Sequence, residues 1–397
     1  MTRTPGSRPK VVFAMITVGD GHKVPAIAGA SWLEAAAPNE LDIEVLDFTR
    51  AVGDDALDRR HKASWAFMLR HPWTAYYGQR LIDRAVPTRL ARGVQARMLN
   101  RHADHVASWL RDERPDLVVA THFFTVQALA LARRRGAPEV PFVSLVVDAM
   151  DAHVLWAEPR ADAHLVYSEA SKRDLTRRGV PEDRVHRIDP VLRPEFGATC
   201  DPGERDAARA ALGVPEDAFV AFWSGGGEGA VGPVLATLER LERRSAATRR
   251  PIALIVLCGR NDAVRERLAR AWPDRPDRHV RVVPLGYRDD VRSIVCAADV
   301  AVGKAGPSST FEALACGRPF LFTGYAAANE RALIDGVVAA GAGAFVPVPA
   351  RVADTLARWA HDPAATASLR AGVARMAVRN GGPEFARFLL DRFLAPA

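Results

Sequence analysis

The chain has 397 residues, 48% of them apolar and 25% charged, and carries a formal net charge of +7. That length exceeds one ordinary hydrophobic core and predicts two domains of roughly 200 residues. The composition excludes a disordered or fibrous chain, and no run of about 18 uncharged apolar residues is present to span a membrane.

The opening MTRTPGSRPK leads directly into the apolar VVFAMI (11–16), a buried strand, without the long apolar core of a signal peptide. The loop 17–23 follows, then a small-residue helix from about Pro25 to Ala36 and a strand over 43–46. His22 closes the loop after a Gly19-x-Gly21 turn, where a neutral imidazole of near-neutral pKa could take a hydroxyl proton; a loop histidine can also be a mere cap. Between Arg59 and Arg101 come ten basic residues against one acid, Asp83, interleaved with Trp65, Phe67, Leu69, Trp73, Tyr76, Tyr77, Leu81 and Ile82. Basic residues among interfacial aromatics suit a helix lying on an anionic bilayer, and equally an amphipathic helix pair with its arginines in water. Only five of the 54 basic residues are lysine, so the overall charge also fits a chain biased towards arginine and alanine.

Strand and helix signals then alternate. DLVVATH (116–122) is a strand, 125–135 a helix, PFVSLVVD (141–148) and 161–166 strands, Ser168–Arg178 a helix stopped at Gly179, and 185–188 a strand. DPVLRPEFGATCDPGERD (189–206) reads as a linker. Beyond it the alternation resumes: strand 218–223, helix 231–242, strand 252–257, helix 263–271, strand 280–285, helix 291–297, strand DVAVG and strand 319–323, with helices filling 351–393. The fold class is α/β, two Rossmann-like domains with parallel sheets covered on both faces and facing across a cleft at the carboxyl ends of the strands. The expected domains are 1–192 for the acceptor and 193–380 for the donor, with a C-terminal helix over 381–397 returning to the first.

Two motifs in the second half suit a nucleoside diphosphate. SGGGEGAVGP (224–233) places Gly225, Gly226 and Gly227 where side chains would block approach to a phosphate. GKAGPSSTFEALACG (303–317) opens a helix with Ser308, Ser309 and Thr310 as N-cap candidates and Glu312 in the first turn. A helix N-terminus carries unpaired N–H groups and about half a positive charge, which suits a phosphate, and a carboxylate can hold a ribose diol. Cys200, Cys258, Cys296 and Cys316 are scattered without metal-ligand spacing; Cys258 and Cys296 read as buried thiols, and a cytoplasmic location, or one peripheral at the inner face of the membrane, is expected. No nucleic-acid motif appears.

These features resemble the two-domain (GT-B) glycosyltransferases that include monogalactosyldiacylglycerol synthase and the processive diacylglycerol glucosyltransferases, and more distantly the peptidoglycan lipid-intermediate N-acetylglucosaminyltransferase. The resemblance rests on GDGH (19–22), VVDAMDAHVLW (146–156), PVLRPEF (190–196), the glycine loop, the pair Gly286–Tyr287 and KAGPSSTFEAL (304–314). It implies an inverting, metal-independent hexosyltransferase that needs no cofactor and uses a UDP-sugar donor and a lipid-like or natural-product acceptor. Gly225, Gly226, Gly227, Ser308 and Ser309 would surround the diphosphate, Glu312 the ribose, and backbone around Tyr287 and Arg288 the base. His22 would be the base, with Asp148 or Asp151 orienting His22 or the acceptor and Gly19 and Gly21 in the acceptor loop. Asn329 and Glu330 stand where the family has a Gln-Glu pair on the sugar, within GYAAANERAL rather than a Pro-Gly-Gln-Glu segment. A UDP-sugar 2-epimerase of the same architecture and a non-enzymatic basic binder are the alternatives.

Overall fold

A computed structural model describes residues 8–17, 20–225, 234–246 and 250–395. The expectations placed on Gly19, Gly226 and Gly227 lie outside them. The chain divides into two units, Met1–Pro194 with Ala326–Ala332 and Asn380–Ala397, and Glu195–Tyr325 with Leu333–Arg379.

Unit 1 contains strands β1 (Lys10–Met15), β2 (Asp42–Asp47), β3 (Leu117–Ala120), β4 (Phe142–Val146), β5 (Ala163–Val166) and β6 (Val185–Arg187). All pair in parallel, in the order β2-β1-β3-β4-β5-β6. β1, β3 and β4 are almost entirely buried, as their continuous apolar runs require when helices cover both faces. From β1 the chain moves outward to β2 and then returns to β3 on the other side. The order therefore reverses between β1 and β3, and ligands of such sheets bind beyond the carboxyl ends at that reversal.

Unit 2 repeats the plan with β7 (Phe219–Ser224), β8 (Ile252–Leu257), β9 (Val280–Leu285), β10 (Val300–Lys304), β11 (Phe320–Gly324) and β12 (Gly343–Phe345), in the order β12-β11-β10-β7-β8-β9. Its reversal lies between β7 and β10, where Gly303 pairs in register with Ser224. At the amino end of this sheet buried Asp299 accepts from Arg209, Arg370 and the Val220 N–H, fixing β10 to β7.

Several boundaries differ from expectation. The first helix begins at Asp20, so Gly21 and His22 lie in its first turn rather than in a preceding loop. The basic segment forms helices Asp55–Arg70, Pro72–Ala85 and Thr88–Met98, because Pro72 opens one helix and Pro87 caps the next. The linker contains a helix, Pro202–Ala211, started by a reciprocal Asp201–Glu204 capping box. That helix packs on Val291–Ala297, and the packing corrects the cysteine expectation. Cys200 and Cys296, 96 residues apart, form a disulfide with Cα atoms 5.5 Å apart, so Cys296 is not a free thiol; Cys258 and Cys316 are free and buried. Sequence spacing could not reveal a pairing made by two helices meeting in space.

The last described α-helix, Gly382–Leu389, completes the core of unit 1. The Phe385 ring lies tilted against Phe13 of β1, centroids 6.1 Å apart, and is fully buried. The approach is close: a Cβ at Gly382 would overlap Trp32, and one at Gly381 would overlap the Asp189 carbonyl. Asn380 secures the join, its amide donating to the Leu192 and Arg193 carbonyls while its oxygen accepts from the Leu192 and Gly382 N–H groups.

Candidate active site

At the unit 1 reversal the helix after β1 brings His22 against the residues that follow β3. His22 Nδ1 lies 2.6 Å from the Thr121 carbonyl oxygen, and Thr121 Oγ1 donates back to the His22 carbonyl at 2.9 Å. A carbonyl only accepts, so Nδ1 carries the proton and Nε2 presents a lone pair. The rings of His122 and Trp156 lie 4.3 and 6.4 Å away. Part of His22 reaches the surface, yet desolvation of its ring outweighs the Thr121 hydrogen bond and lowers the pKa to about 4. The expected near-neutral value is corrected accordingly: the imidazole is uncharged throughout the physiological range.

Asp148, just beyond β4, does not orient His22. Its Oδ2 accepts from the Trp156 indole at 2.8 Å and the His153 N–H at 3.2 Å, and its Oδ1 from the Asn329 amide at 2.7 Å. Burial pushes its pKa up to about 6 against those three bonds. Asp151 does not bond His22 either; its Oδ1 is buried without a partner among the described residues, and desolvation, then Asp148 and Asp83, raise its pKa to about 7. The orienting group is instead a peptide carbonyl, which no residue-type motif reveals.

Sequence reasoning missed several neighbours. His122 accepts from the Phe124 N–H through Nδ1 and so caps helix Phe123–Arg134. His61 stacks on Phe124 with centroids 4.5 Å apart, its Nδ1 buried without a partner among the described residues and its pKa lowered to about 4, mainly by desolvation. Asp83, the lone acid of the basic segment, accepts from the Val154 N–H at 2.8 Å and lies 3.7 Å from His153 Nε2. Its isolation among cations was the available signal, as was the position of Thr121–Phe124 beyond a strand's carboxyl end.

In unit 2, Gly225 leaves β7 with its N–H bonded to the Leu257 carbonyl. The adjacent helix Pro307–Ala315 has Gly306 as N-cap and Pro307 in its first turn, so Ser308 and Ser309 lie within the helix rather than capping it. Ser309 Oγ donates to the Gly306 carbonyl, whereas Ser308 Oγ is buried without a partner among the described residues. Glu312, buried, falls in the second turn rather than the first. Beyond β9, exposed Tyr287 lies 4.4 Å beneath the Arg260 guanidinium, and Arg288 forms a two-point pair with Asp290. Asn329 and Glu330 belong to the segment grouped with unit 1; Glu330 caps locally by accepting from the Ala326 N–H, and Asn329 Oδ1 is buried without a partner among the described residues.

Comparison with known proteins decides what these sites belong to. Residues 39–189 match the monogalactosyldiacylglycerol (MGDG) synthase family model, and residues 225–334 match the glycosyltransferase family 28 C-terminal domain. The chain is a glycosyltransferase. It resembles a rice protein described as probable MGDG synthase 2, 27% identical over 369 residues that cover 90% of this chain and 75% of that one. The spinach MGDG synthase is 25% identical over 366 residues, covering 89% and 67%. Among solved structures, MurG of Acinetobacter baumannii superposes with a TM-score of 0.60 at 13% identity over 97% of this chain and all of that one. The glycosyltransferase SnogD of Streptomyces nogalater gives 0.58 at 19%, over 97% and 99%. The fold of this glycosyltransferase is therefore GT-B. The stretch that matches the MGDG synthase model includes Asp83, Thr121, Asp148 and Trp156, and the stretch that matches the family 28 model includes Gly225, Ser308, Glu312, Asn329 and Glu330.

Proposed function

We propose that this glycosyltransferase transfers a hexose from a UDP-sugar to the hydroxyl of a lipid acceptor of the diacylglycerol class, with inversion and without a metal or other cofactor. His22 supports the reading most directly. With Nδ1 committed to the Thr121 carbonyl, its Nε2 is the atom that takes the acceptor proton, and uncharged imidazole is ready for it at neutral pH. A base this weak accepts the proton only as the acceptor oxygen attacks the anomeric carbon, so deprotonation and displacement run together. One bond forms to the acceptor oxygen as the bond to the diphosphate breaks on the opposite face.

In unit 2 the N–H groups of helix Pro307–Ala315 and the loop at Gly225 meet the charge developing on the leaving UDP. The unpartnered Ser308 Oγ offers a phosphate contact, Glu312 the ribose contact, and backbone at Tyr287 and Arg288 the base contact. The donor assignment draws on the Anabaena HepE structure, solved with UDP and glucose, which shares the fold at a TM-score of 0.54. The acceptor assignment draws on the MGDG synthases. Both matched family models are glycosyltransferases, which favours transfer over epimerisation.

The lipid reading also draws on the basic helices. Phe67, Tyr77, Leu81, Leu90, Val94 and Met98 are exposed, alongside Arg59, Arg60, Arg89 and Arg97. The side chains of Trp65, Leu69, Arg70, Trp73, Tyr76 and Arg84 lie outside the described residues. Among the described residues no helix is long and apolar enough to cross a membrane, and exposed apolar groups among cations suit the surface of an anionic bilayer. The protein should therefore sediment with anionic vesicles at physiological salt.

His22→Ala tests the chemistry. Turnover of UDP-hexose with vesicles containing diacylglycerol should fall about 10²- to 10⁴-fold, the usual worth of general base catalysis, while UDP binding by calorimetry stays unchanged. Near-wild-type turnover would overturn the base assignment; loss of UDP binding would overturn the division of roles.

A further inference from the structure

The three cysteines of unit 2 other than Cys258 converge. The sulfur atoms of Cys200, Cys296 and Cys316 all lie within 4.8 Å of one another, with Cys296 and Cys316 buried and Cys200 part-exposed. They come from three separate elements: the segment before helix Pro202–Ala211, helix Val291–Ala297, and the C-cap of helix Pro307–Ala315. The disulfide joins only two of them and leaves the third beside it. A disulfide alone needs no such third sulfur.

We propose that the reduced protein holds a thiophilic divalent cation, of which zinc is the type, on Cys200, Cys296 and Cys316. In a tetrahedral site with Zn–S bonds of about 2.3 Å, sulfurs stand about 3.8 Å apart, so the present grouping needs only small side-chain movements once the disulfide is reduced. Three thiolates around a divalent ion leave one net negative charge. Burial pushes the Cys316 thiol up to about 12, with Arg292 and Arg318 opposing it; Arg318, itself buried, donates to the Cys296 carbonyl and keeps a buried Nε without a partner among the described residues. A site of net negative charge therefore meets cations already ordered around it. Cys200 marks the open side, where the ion enters and a water completes the fourth position. The bound ion would tie the interdomain segment to the far end of the helix whose N-terminus is assigned to the diphosphate.

The test uses the full chain, reduced without oxygen, loaded with zinc and dialysed, with metal read by elemental analysis. Wild type and Cys258→Ser should retain about one zinc per chain, as expected for one site, and Cys200→Ser and Cys316→Ser should lose most of it. Cobalt substituted into the wild type supplies a readout independent of any variant's folding, since thiolate ligation gives an intense charge-transfer band. Reduced wild type that retains no zinc and shows no such band, or a folded Cys316→Ser protein that retains zinc as wild type does, overturns the proposal.

Discussion

The two sites are built from different material. In unit 1 the candidate acceptor side is made of polar side chains held by backbone as well as by each other: His22 by the Thr121 carbonyl, and Asp148 by the His153 N–H, the Trp156 indole and the Asn329 amide. In unit 2 the candidate donor side is backbone, at Gly225 and at the N-terminus of helix Pro307–Ala315, with the Ser308 hydroxyl unpartnered among the described residues. A base must be held in one tautomer and one direction, and only a committed partner does that. A diphosphate is held by many weak N–H contacts, which any sequence that starts a helix correctly supplies. Substitutions should therefore act on folding and chemistry together in unit 1, and on donor affinity alone in unit 2.

Asp148→Ala puts the heaviest load on that contrast. It leaves the Trp156 indole, the His153 N–H and the Asn329 amide without their acceptor, at about 1–3 kcal/mol for each buried donor, so unfolding in urea should show at least about 3 kcal/mol lost. A loss below about 1 kcal/mol would mean that the network is not a structural unit.

Acidification comes next. His22 titrates near 4 when folded and near 6.5 as an ordinary histidine. Between those values the unfolded chain binds more protons, so stability is present above about pH 6.5 and is lost as pH falls towards 4. At pH 4.5 this amounts to about 2–3 kcal/mol relative to neutral pH, and His22→Gln should lose that much less on acidification than wild type. Asp148 opposes the trend, since its raised pKa weakens folding as pH climbs through 4 to 6; comparison of the two proteins cancels it.

In unit 2, Glu312→Gln should weaken UDP binding by about 1.5–3 kcal/mol, the worth of a hydrogen bond to a charged group, with kcat affected less than KM. Ser308→Ala should be the mildest: a folding change within about 0.5 kcal/mol, because its hydroxyl has no partner among the described residues, and a loss of UDP affinity of about 1 kcal/mol. Equal effects of Ser308→Ala on folding and on UDP affinity would erase the distinction between the sites.

Apolar runs marked the sheets well, because strands buried on both faces have little freedom in composition. Helix starts were less legible. Pro307 and Gly306 moved the cap two residues upstream of the serines, and Asp20 drew His22 into a helix. Each proposed donor motif lies within one short stretch of sequence, so its pattern shows in the letters alone. The acceptor side does not: His22 and Thr121 are 99 residues apart, Asp148 and Asn329 181 apart, and Cys200 and Cys296 96 apart. The partner of His22 is also a backbone oxygen, which has no letter of its own.

The seating of helix Gly382–Leu389 on β1 and Trp32 bears on how such enzymes can be recombined. A chimera joined after residue 194 would take its first half from one parent and the plug of that half, Phe385, from the other. The glycines at 381 and 382 tolerate only a matching tryptophan and backbone opposite them. Parts to be exchanged between relatives are therefore not halves of the gene, and a functional hybrid must carry both distant stretches from a single parent.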